Sequence, residues 1–343
     1  MPDELALWHR NGLVMSRTVN GAGSEVVGDP CVVWDEDASA WRMFLFFEPP
    51  GHASALAPAA APSRWSEPKI LNFNNPETLG GGTQKPWIVM DPHRPNHAAR
   101  VDGKYWLLTV SHDGNAREKR VQRAWAYTLV GPWTLEEGDL IPRGTGTDFD
   151  ANHVDAVSGY WFDEIDSFVY YYMGYPTLPQ SHTISPLGSS IGVAVQRAGE
   201  TSVTKLPPIL RPVEQSGNWA SGWLGGIQIL PGIQSRWVGI INASPTPPDH
   251  DGVITSEEPA PSMGGFARTD KEIPIAGWTI DEEPIERIED IPDTAVKGGE
   301  GTNLWRQYIF LDGDTATLYY NSGFYGQEQL YSKSVSKGQI GLA

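Results

Sequence analysis

Four carboxylates occupy positions where they could act on one substrate: Asp29, Asp155, Glu300 and Glu328. Each stands just before or just after a pair of apolar, β-type runs. Two carboxyl groups converging on one point can break a glycosidic bond. One protonates the leaving oxygen while the other activates water or attacks the anomeric carbon. The acid of such a pair needs a raised pKa, from burial or from a neighbouring carboxylate. The imidazoles of His97 and His153 hold comparable positions and can bind hydroxyls or deliver a proton. Trp87, Trp223 and Tyr175 offer flat faces for sugar rings, and Arg306 can pair with a site carboxylate or hold an acidic sugar. Each residue also has a plain structural reading: an Asp-Pro turn for Asp29, a strand cap for Asp155, an exposed loop for Glu300, hydrogen-bonded histidines, core aromatics and an ion pair between sheets.

The elements that must position these groups are strands. Gly28-Asp29-Pro30 leads into Cys31-Val32-Val33-Trp34, a polar turn at Asp35 to Ser39, and the aromatic return Trp41 to Phe47. Two β-type runs joined by a turn signal a hairpin. The plan recurs four more times. A second hairpin turns at Asp102-Gly103, a strong two-residue turn signal, and a third returns through Phe168 to Met173. A fourth runs from Trp223 through Leu230 and back from Trp237, and a fifth turns at Asp312-Gly313. Positions equivalent to Asp29 fall near His97, Asp155, Gly225 and Arg306, between 58 and 81 residues apart. A five-fold recurrence of four-strand units predicts an all-β, five-bladed β-propeller with four-stranded antiparallel blades. The expected organisation is one catalytic domain over residues 1–343, with blades starting near 29, 97, 155, 225 and 306. In such a blade the start of the first strand and the end of the second share a face. Asp29, His97, Asp155, Trp223 and Glu300 should therefore meet Glu48, His112, Asp113, Tyr175, His182, His250 and Glu328.

Composition narrows the partners. A formal charge of −17 over 343 residues repels phosphate backbones, so nucleic acid is not an expected partner. No run has the length of a membrane span. The N-terminus holds no apolar segment of signal-peptide length. The expected protein is soluble, either cytoplasmic or secreted with its leader absent from this sequence. The single cysteine, Cys31, rules out an intramolecular disulfide and a cysteine-rich metal site. Fourteen tryptophans suit both sugar stacking and β cores.

Gly28-Asp29-Pro30, His153-Val154-Asp155, Gly131-Pro132-Trp133 and Ile191-Gly192-Val193-Ala194, in this order, resemble the five-bladed β-propeller glycoside hydrolases. That group holds the family 43 arabinanases and β-xylosidases, the invertase-like enzymes and the family 130 mannoside phosphorylases. The resemblance spans about residues 25 to 335. It implies hydrolysis of poly- or oligosaccharides, with inversion favoured, while the long loops Gly174 to Ser190 and Asn242 to Gly265, able to wall a pocket, favour exo action. Asp29 would be the general base, and Asp155 the carboxylate that orients the acid and tunes its pKa. The family's acid, a Glu opening blade four, is missing, because the fourth unit reads Trp223-Leu224-Gly225-Gly226. Glu300 is the first substitute, Glu328 the second and Glu214 the third. No cofactor is required, and the resemblance allows a structural Ca²⁺ in the channel. Two other functions compete. A phosphorylase of the same fold needs clustered Arg, Lys and His, in which the expected pocket looks poor. A non-catalytic sugar-binding propeller is supported by the missing blade-four Glu.

Overall fold

The computed structural model describes residues 8–19, 22–23, 26–48, 51–76, 82–112, 119–176, 188–214, 218–245, 263–285, 305–322 and 328–343. Among them are five four-stranded antiparallel sheets, the blades of a five-bladed β-propeller. Strand β1 (His9–Met15) and a small hairpin, β2 (Thr18–Val19) and β3 (Ala22–Gly23), precede the first blade. Blade one is β4 (Val26–Asp35), β5 (Ala40–Glu48), β6 (Gly51–Pro58) and β7 (Lys69–Ile70). Blade two is β8 (Gly82–Ile88), β9 (Tyr105–His112), β10 (Arg120–Ala126) and β11 (Thr134–Leu135). Blade three is β12 (His153–Phe162), β13 (Ser167–Tyr175), β14 (Ser190–Arg197) and β15 (Thr204–Leu210). Blade four is β16 (Trp223–Pro231), β17 (Trp237–Ser244), β18 (Met263–Thr269) and β19 (Thr279–Ile280). Blade five is β20 (Trp305–Asp312), β21 (Thr315–Ser322) and β22 (Gln329–Ser336), and β1 pairs with β22 as its fourth strand. The ring is thus closed by strands from opposite ends of the sequence, paired in one blade.

The first strand of blade one reads as a largely apolar run because both of its faces are covered. Nine of the ten residues of β4 are buried. The inner strands are stitched side by side by side-chain hydrogen bonds. Ile88 N donates to Cys31 Sγ at 3.3 Å, and Trp87 Nε1 to Gly159 O at 3.1 Å. Ser158 Oγ donates to Ile227 O at 2.5 Å, Gln228 Nε2 to Ile309 O at 2.8 Å, and Tyr308 Oη to Val32 O at 2.7 Å. These five contacts run once around the hub. Trp87, Tyr160 and Tyr308 fill its axis in edge-to-face pairs, with ring centroids 5.9 and 5.6 Å apart. The hub is therefore plugged beneath its mouth.

Every inner strand breaks register at the same depth. The breaks fall between Gly28 and Cys31, Gln84 and Trp87, Asp155 and Ser158, Leu224 and Ile227, and Trp305 and Tyr308. A bulge of this kind bends the strand and re-aims its side chains. Four bulge residues carry positive φ without being glycine: Asp29 at 51°, Lys85 at 57°, Ala156 at 47° and Arg306 at 43°. Such backbone is costly for a residue with a Cβ, by about 1–2 kcal/mol each, and it recurs here around one ring.

The bulges correct one expected blade start. Blade two begins at β8, and the residue equivalent to Asp29 is Lys85, not His97. The Asp102-Gly103 turn exists, with φ of 52° and 73° and a bridge from Val101 to Lys104. It follows a connecting segment rather than the inner strand. That segment lies against the far end of β4, where Trp34 N donates to Asn96 O at 2.8 Å and Trp34 bridges His97. Among the described residues, no helix is long and apolar enough to cross a membrane.

Candidate active site

Strand starts and ends meet at the mouth of the hub. Val26 pairs with Glu48, Gly82 with His112, His153 with Tyr175, Trp223 with Ser244 and Trp305 with Asn321. Asp29 sits in the bulge of the blade-one inner strand on this face. Its N–H donates to Asn321 Oδ1 at 2.9 Å, and Asn321 Nδ2 donates to Asp29 Oδ1 at 2.8 Å. The reciprocal pair holds backbone and carboxylate together and offsets the cost of φ 51°. Gly28 is a glycine because a Cβ there would lie 2.2 Å from Asn321 Nδ2. Asp29 Oδ2 takes no hydrogen bond from a described residue, so one oxygen is fixed and the other is open. Burial raises the pKa of Asp29, opposed by the charges of Lys85 and Arg306 and by the Asn321 hydrogen bond.

Asp155 is held quite differently. Lys85 Nζ lies 2.8 and 3.0 Å from its two oxygens, Lys119 Nζ lies 2.7 Å from Oδ2, and Tyr175 Oη donates to Oδ2 at 3.3 Å. The N–H of Ala156 adds a bond to Oδ1 at 2.6 Å. Burial works to raise its pKa, but the two ammonium groups outweigh burial and hold it below the usual carboxylate range. Asp155 is a fixed anion here rather than a proton donor. Lys85 is pushed below the usual lysine range by burial, reinforced by Lys119 and opposed by Asp155. For Lys119 the attraction to Asp155 overcomes burial and raises its pKa. His153 packs against Tyr175, with ring centroids 4.0 Å apart and the planes tilted by 45°. Its pKa is lowered to about 4, by burial first and then by Lys119. Glu48 accepts from Gln84 Nε2 at 2.6 Å and lies 3.1 Å from His112 Nε2, and the His112 hydrogen bond lowers its pKa.

Arg306 spans the hub from blade five to blade three. Its Nη1 donates to Ala156 O and its Nη2 to Val157 O, each at 2.6 Å. The guanidinium lies 5.6 Å above the Trp87 ring. This crossing explains why blade four offers no acid. A Cβ at Gly226 would stand 2.1 Å from Arg306 Nη1, and one at Gly225 2.2 Å from Asn242 Oδ1. The two glycines clear the space that Arg306 and Asn242 occupy.

Of the residues singled out in the sequence, Asp29, Asp155, His153, Tyr175, Trp223 and Arg306 come together at the mouth. Trp223 is buried in a small cluster with Ala156 and Met173, against Tyr175. Glu328 is buried at the same face, and its backbone carbonyl accepts from Val27 N at 3.1 Å. Two expected binding residues lie elsewhere. His97 stands at the opposite end of β4, its Nδ1 3.0 Å from Pro95 O. Trp87 is the buried plug beneath Arg306, with its indole N–H committed to Gly159 O, so it presents no open face to a sugar. Glu300, Asp113, His182 and His250 lie outside the described residues. Lys85, Lys119 and Asn321 were not among the expected site residues. Lys85 had a signal, since Gln84-Lys85-Pro86-Trp87-Ile88-Val89 repeats the Gly28-Asp29-Pro30-Cys31-Val32-Val33 pattern. Proline in an inner strand marks a bulge. Lys119, just ahead of β10, and Asn321, at the end of β21, had none. The expectation that the pocket is poor in cations does not hold, because Lys85, Lys119 and Arg306 all reach it. They also fit a channel Ca²⁺ badly. Three cationic groups surround the mouth, and no group of three or more His, Cys, Asp or Glu among the described residues could hold a metal.

No family model matches the sequence, and no curated protein matches it. Solved structures do match in fold. A glycoside hydrolase superposes with TM-score 0.69 at 12% identity, over 95% of this chain and 91% of its own. A thermostable family-43 glycoside hydrolase gives 0.60 at 15% identity, over 93% and 91%. An endo-arabinase from Bacteroides thetaiotaomicron gives 0.57 at 12% identity, over 90% and 93%. At these identities the likeness is one of fold.

Proposed function

We propose that this protein is a glycoside hydrolase acting on oligo- or polysaccharide, with Asp29 as the reacting carboxylate. The carrying observation is the state of Asp29, which is buried, fixed through Oδ1 by Asn321 and open at Oδ2. A general base works best when it is oriented and its pKa is raised toward the working pH. Asp29 would take a proton from water as the water oxygen bonds to the anomeric carbon. Glu328, buried on the same face beside β4, is assigned as the acid that protonates the leaving oxygen. Asp155, kept ionised by Lys85 and Lys119, would stabilise positive charge developing on the sugar ring. Inversion follows from a water-activating base rather than a nucleophile. Exo action is supported by the plugged hub, since Trp87, Tyr160 and Tyr308 leave entry from one face only.

Asp29→Asn tests the assignment, because the amide keeps the shape and its Oδ1 can still accept from Asn321. Against aryl arabinofuranosides, xylosides, galactosides and fucosides, the variant should lose at least about 10²–10⁴ of its turnover while product binding persists. Turnover near that of the native protein would remove Asp29 from the mechanism. Anomer-resolved NMR of the first product decides inversion.

A further inference from the structure

We propose that the notch left by Gly225 in blade four is a subsite for a sugar hydroxyl, read by the amide of Asn242 and backed by that of Gln307, so that the substrate presents a neutral, hydroxyl-bearing ring to blade four. The proposal rests on the glycosidase reading only for calling that ring a substrate, since the subsite is argued from its own residues.

Each inner-strand break skips two residues, so two positions recur around the hub. The first holds Asp29, Lys85, Ala156, Gly225 and Arg306. Of the five, Gly225 alone carries no side chain. Its place is taken from the neighbouring strand by Asn242, whose Oδ1 lies 2.2 Å and whose Nδ2 lies 2.6 Å from the point where a Cβ would stand. Asn242 is 5% exposed. Its amide has no hydrogen-bond partner among the described residues, and it is not one of the unpartnered groups sealed from solvent. A nearly buried, unpartnered amide therefore stands at the opening that the glycine leaves.

The second recurring position holds Pro30, Pro86, Val157, Gly226 and Gln307. Four blades use an apolar residue or a glycine there, so the fold does not call for an amide. Gln307 is nonetheless 6% exposed, and both polar atoms of its side chain are sealed from solvent without a hydrogen-bond partner. It packs over Gly264, where a Cβ would lie 2.2 Å from its Oε1 and 2.3 Å from its Nε2. Gly264 pairs with Asn242 across β17 and β18. Opposed residues of an antiparallel pair share a face, about 5 Å apart. The two amides are thus neighbours in the seam between blades four and five, yet they are not bonded to each other.

A buried amide left unpaired is costly, and such departures from local satisfaction concentrate where proteins bind. A hydroxyl both donates and accepts, as an amide does. A hydroxyl seated over Gly225 would exchange a hydrogen bond with Asn242 and turn its amide so that the other end meets Gln307. Gln307 acts through Asn242 and is a positioning residue. A carboxylate only accepts, so it would leave both amide oxygens without a donor.

Thermal unfolding with L-arabinose, D-xylose, D-galactose, L-fucose or D-galacturonate reads binding without turnover. At least one neutral sugar should raise the midpoint of the native protein. The loss of one hydrogen bond should weaken that sugar about tenfold in Asn242→Ala, in the isosteric Asn242→Asp and in Gln307→Leu. Gln307→Leu is close in volume and removes the unpaired amide, so without sugar it should unfold at a higher temperature than the native protein. A lower midpoint there would mean that the amide already serves the fold, and it overturns the proposal whatever the sugars do. Unchanged affinity in both Asn242 variants, a midpoint raised by galacturonate alone, or no rise with any of the four neutral sugars also overturns it. Sugar binding that depends on Asn242, in a protein whose turnover survives Asp29→Asn, keeps the subsite and removes the catalytic reading.

Discussion

Replacing Gly226 by Ala should unseat a residue of the next blade, 80 positions on in sequence. The ideal Cβ at position 226 lies 2.1 Å from Arg306 Nη1 and 3.1 Å from Ala156 O. The guanidinium is the mobile partner, so it must leave. With it go two hydrogen bonds of 2.6 Å, to Ala156 O and Val157 O. Hydrogen bonds to a charged group contribute about 1.5–3 kcal/mol each, which sets the loss at about 3–5 kcal/mol, the range for breaking a buried charged contact. For 343 residues the unfolding entropy is about 0.7 kcal/mol/K, so the midpoint should fall by about 4–7 °C. Activity should change in a way that simple destabilisation does not produce. Arg306 is one of the charges that hold the Asp29 pKa down. Its withdrawal leaves burial less opposed, so the acidic limb of the pH–rate profile should move to higher pH. Calorimetry and a pH–rate profile of Gly226→Ala against Gly338→Ala read both effects. Nothing lies within 4 Å of a Cβ at position 338, so that variant should match the native protein. If Gly226→Ala also matches it in midpoint and in acidic limb, the account of the crossing arginine is wrong.

Two further outcomes follow from the same site. Asn321→Ala removes both partners of Asp29. It should lower kcat by about 10² through misplacement of the carboxylate, with KM little changed; a KM effect alone would make Asn321 a substrate contact instead. His153 sets a pH window for stability. Its folded pKa of about 4 lies below the ordinary 6.5, so between those values the unfolded chain binds the extra proton. Stability is therefore fully present above pH 6.5 and is lost as pH falls toward 4, by up to about 3 kcal/mol from this residue. Urea midpoints at pH 7 and pH 4.5 should converge more for His153→Gln than for the native protein, and equal pH dependence would refute the assignment.

Much of the fold was legible in local pattern. Hairpin turns such as Asp35 to Ser39 and Asp312-Gly313, and the apolar runs beside them, repeat five times, and a blade is a local unit of hairpins. The same locality exposed Asp29 and Asp155, because each lies within a few residues of a hairpin that announces itself. It also misled, since Asp102-Gly103 is a true turn beside a strand that is not the inner one. The inner strand of blade two was hidden by Lys85-Pro86, which reads as a strand breaker until the bulge is recognised.

The remainder of the site depends on contacts far apart in the chain. Asn321 is 292 residues from Asp29, Lys85 is 70 from Asp155, and Arg306 is 150 from Ala156. Residue type says that a lysine carries charge but not which carboxylate it will meet. That is decided by closure of the ring, when β1 pairs with β22 and the five bulges are brought to one mouth. The same closure turned the missing acid of blade four into a cleared passage. Gly225-Gly226 looks like a loss in the sequence, and only the packed hub shows the side chains of Asn242 and Arg306 in the space that the glycines leave. Turn chemistry and side-chain alternation act over a few residues, so they specify blades and their apolar faces. Charge pairing at the hub acts through space between strands that sequence distance does not order, so it is set only when the ring closes.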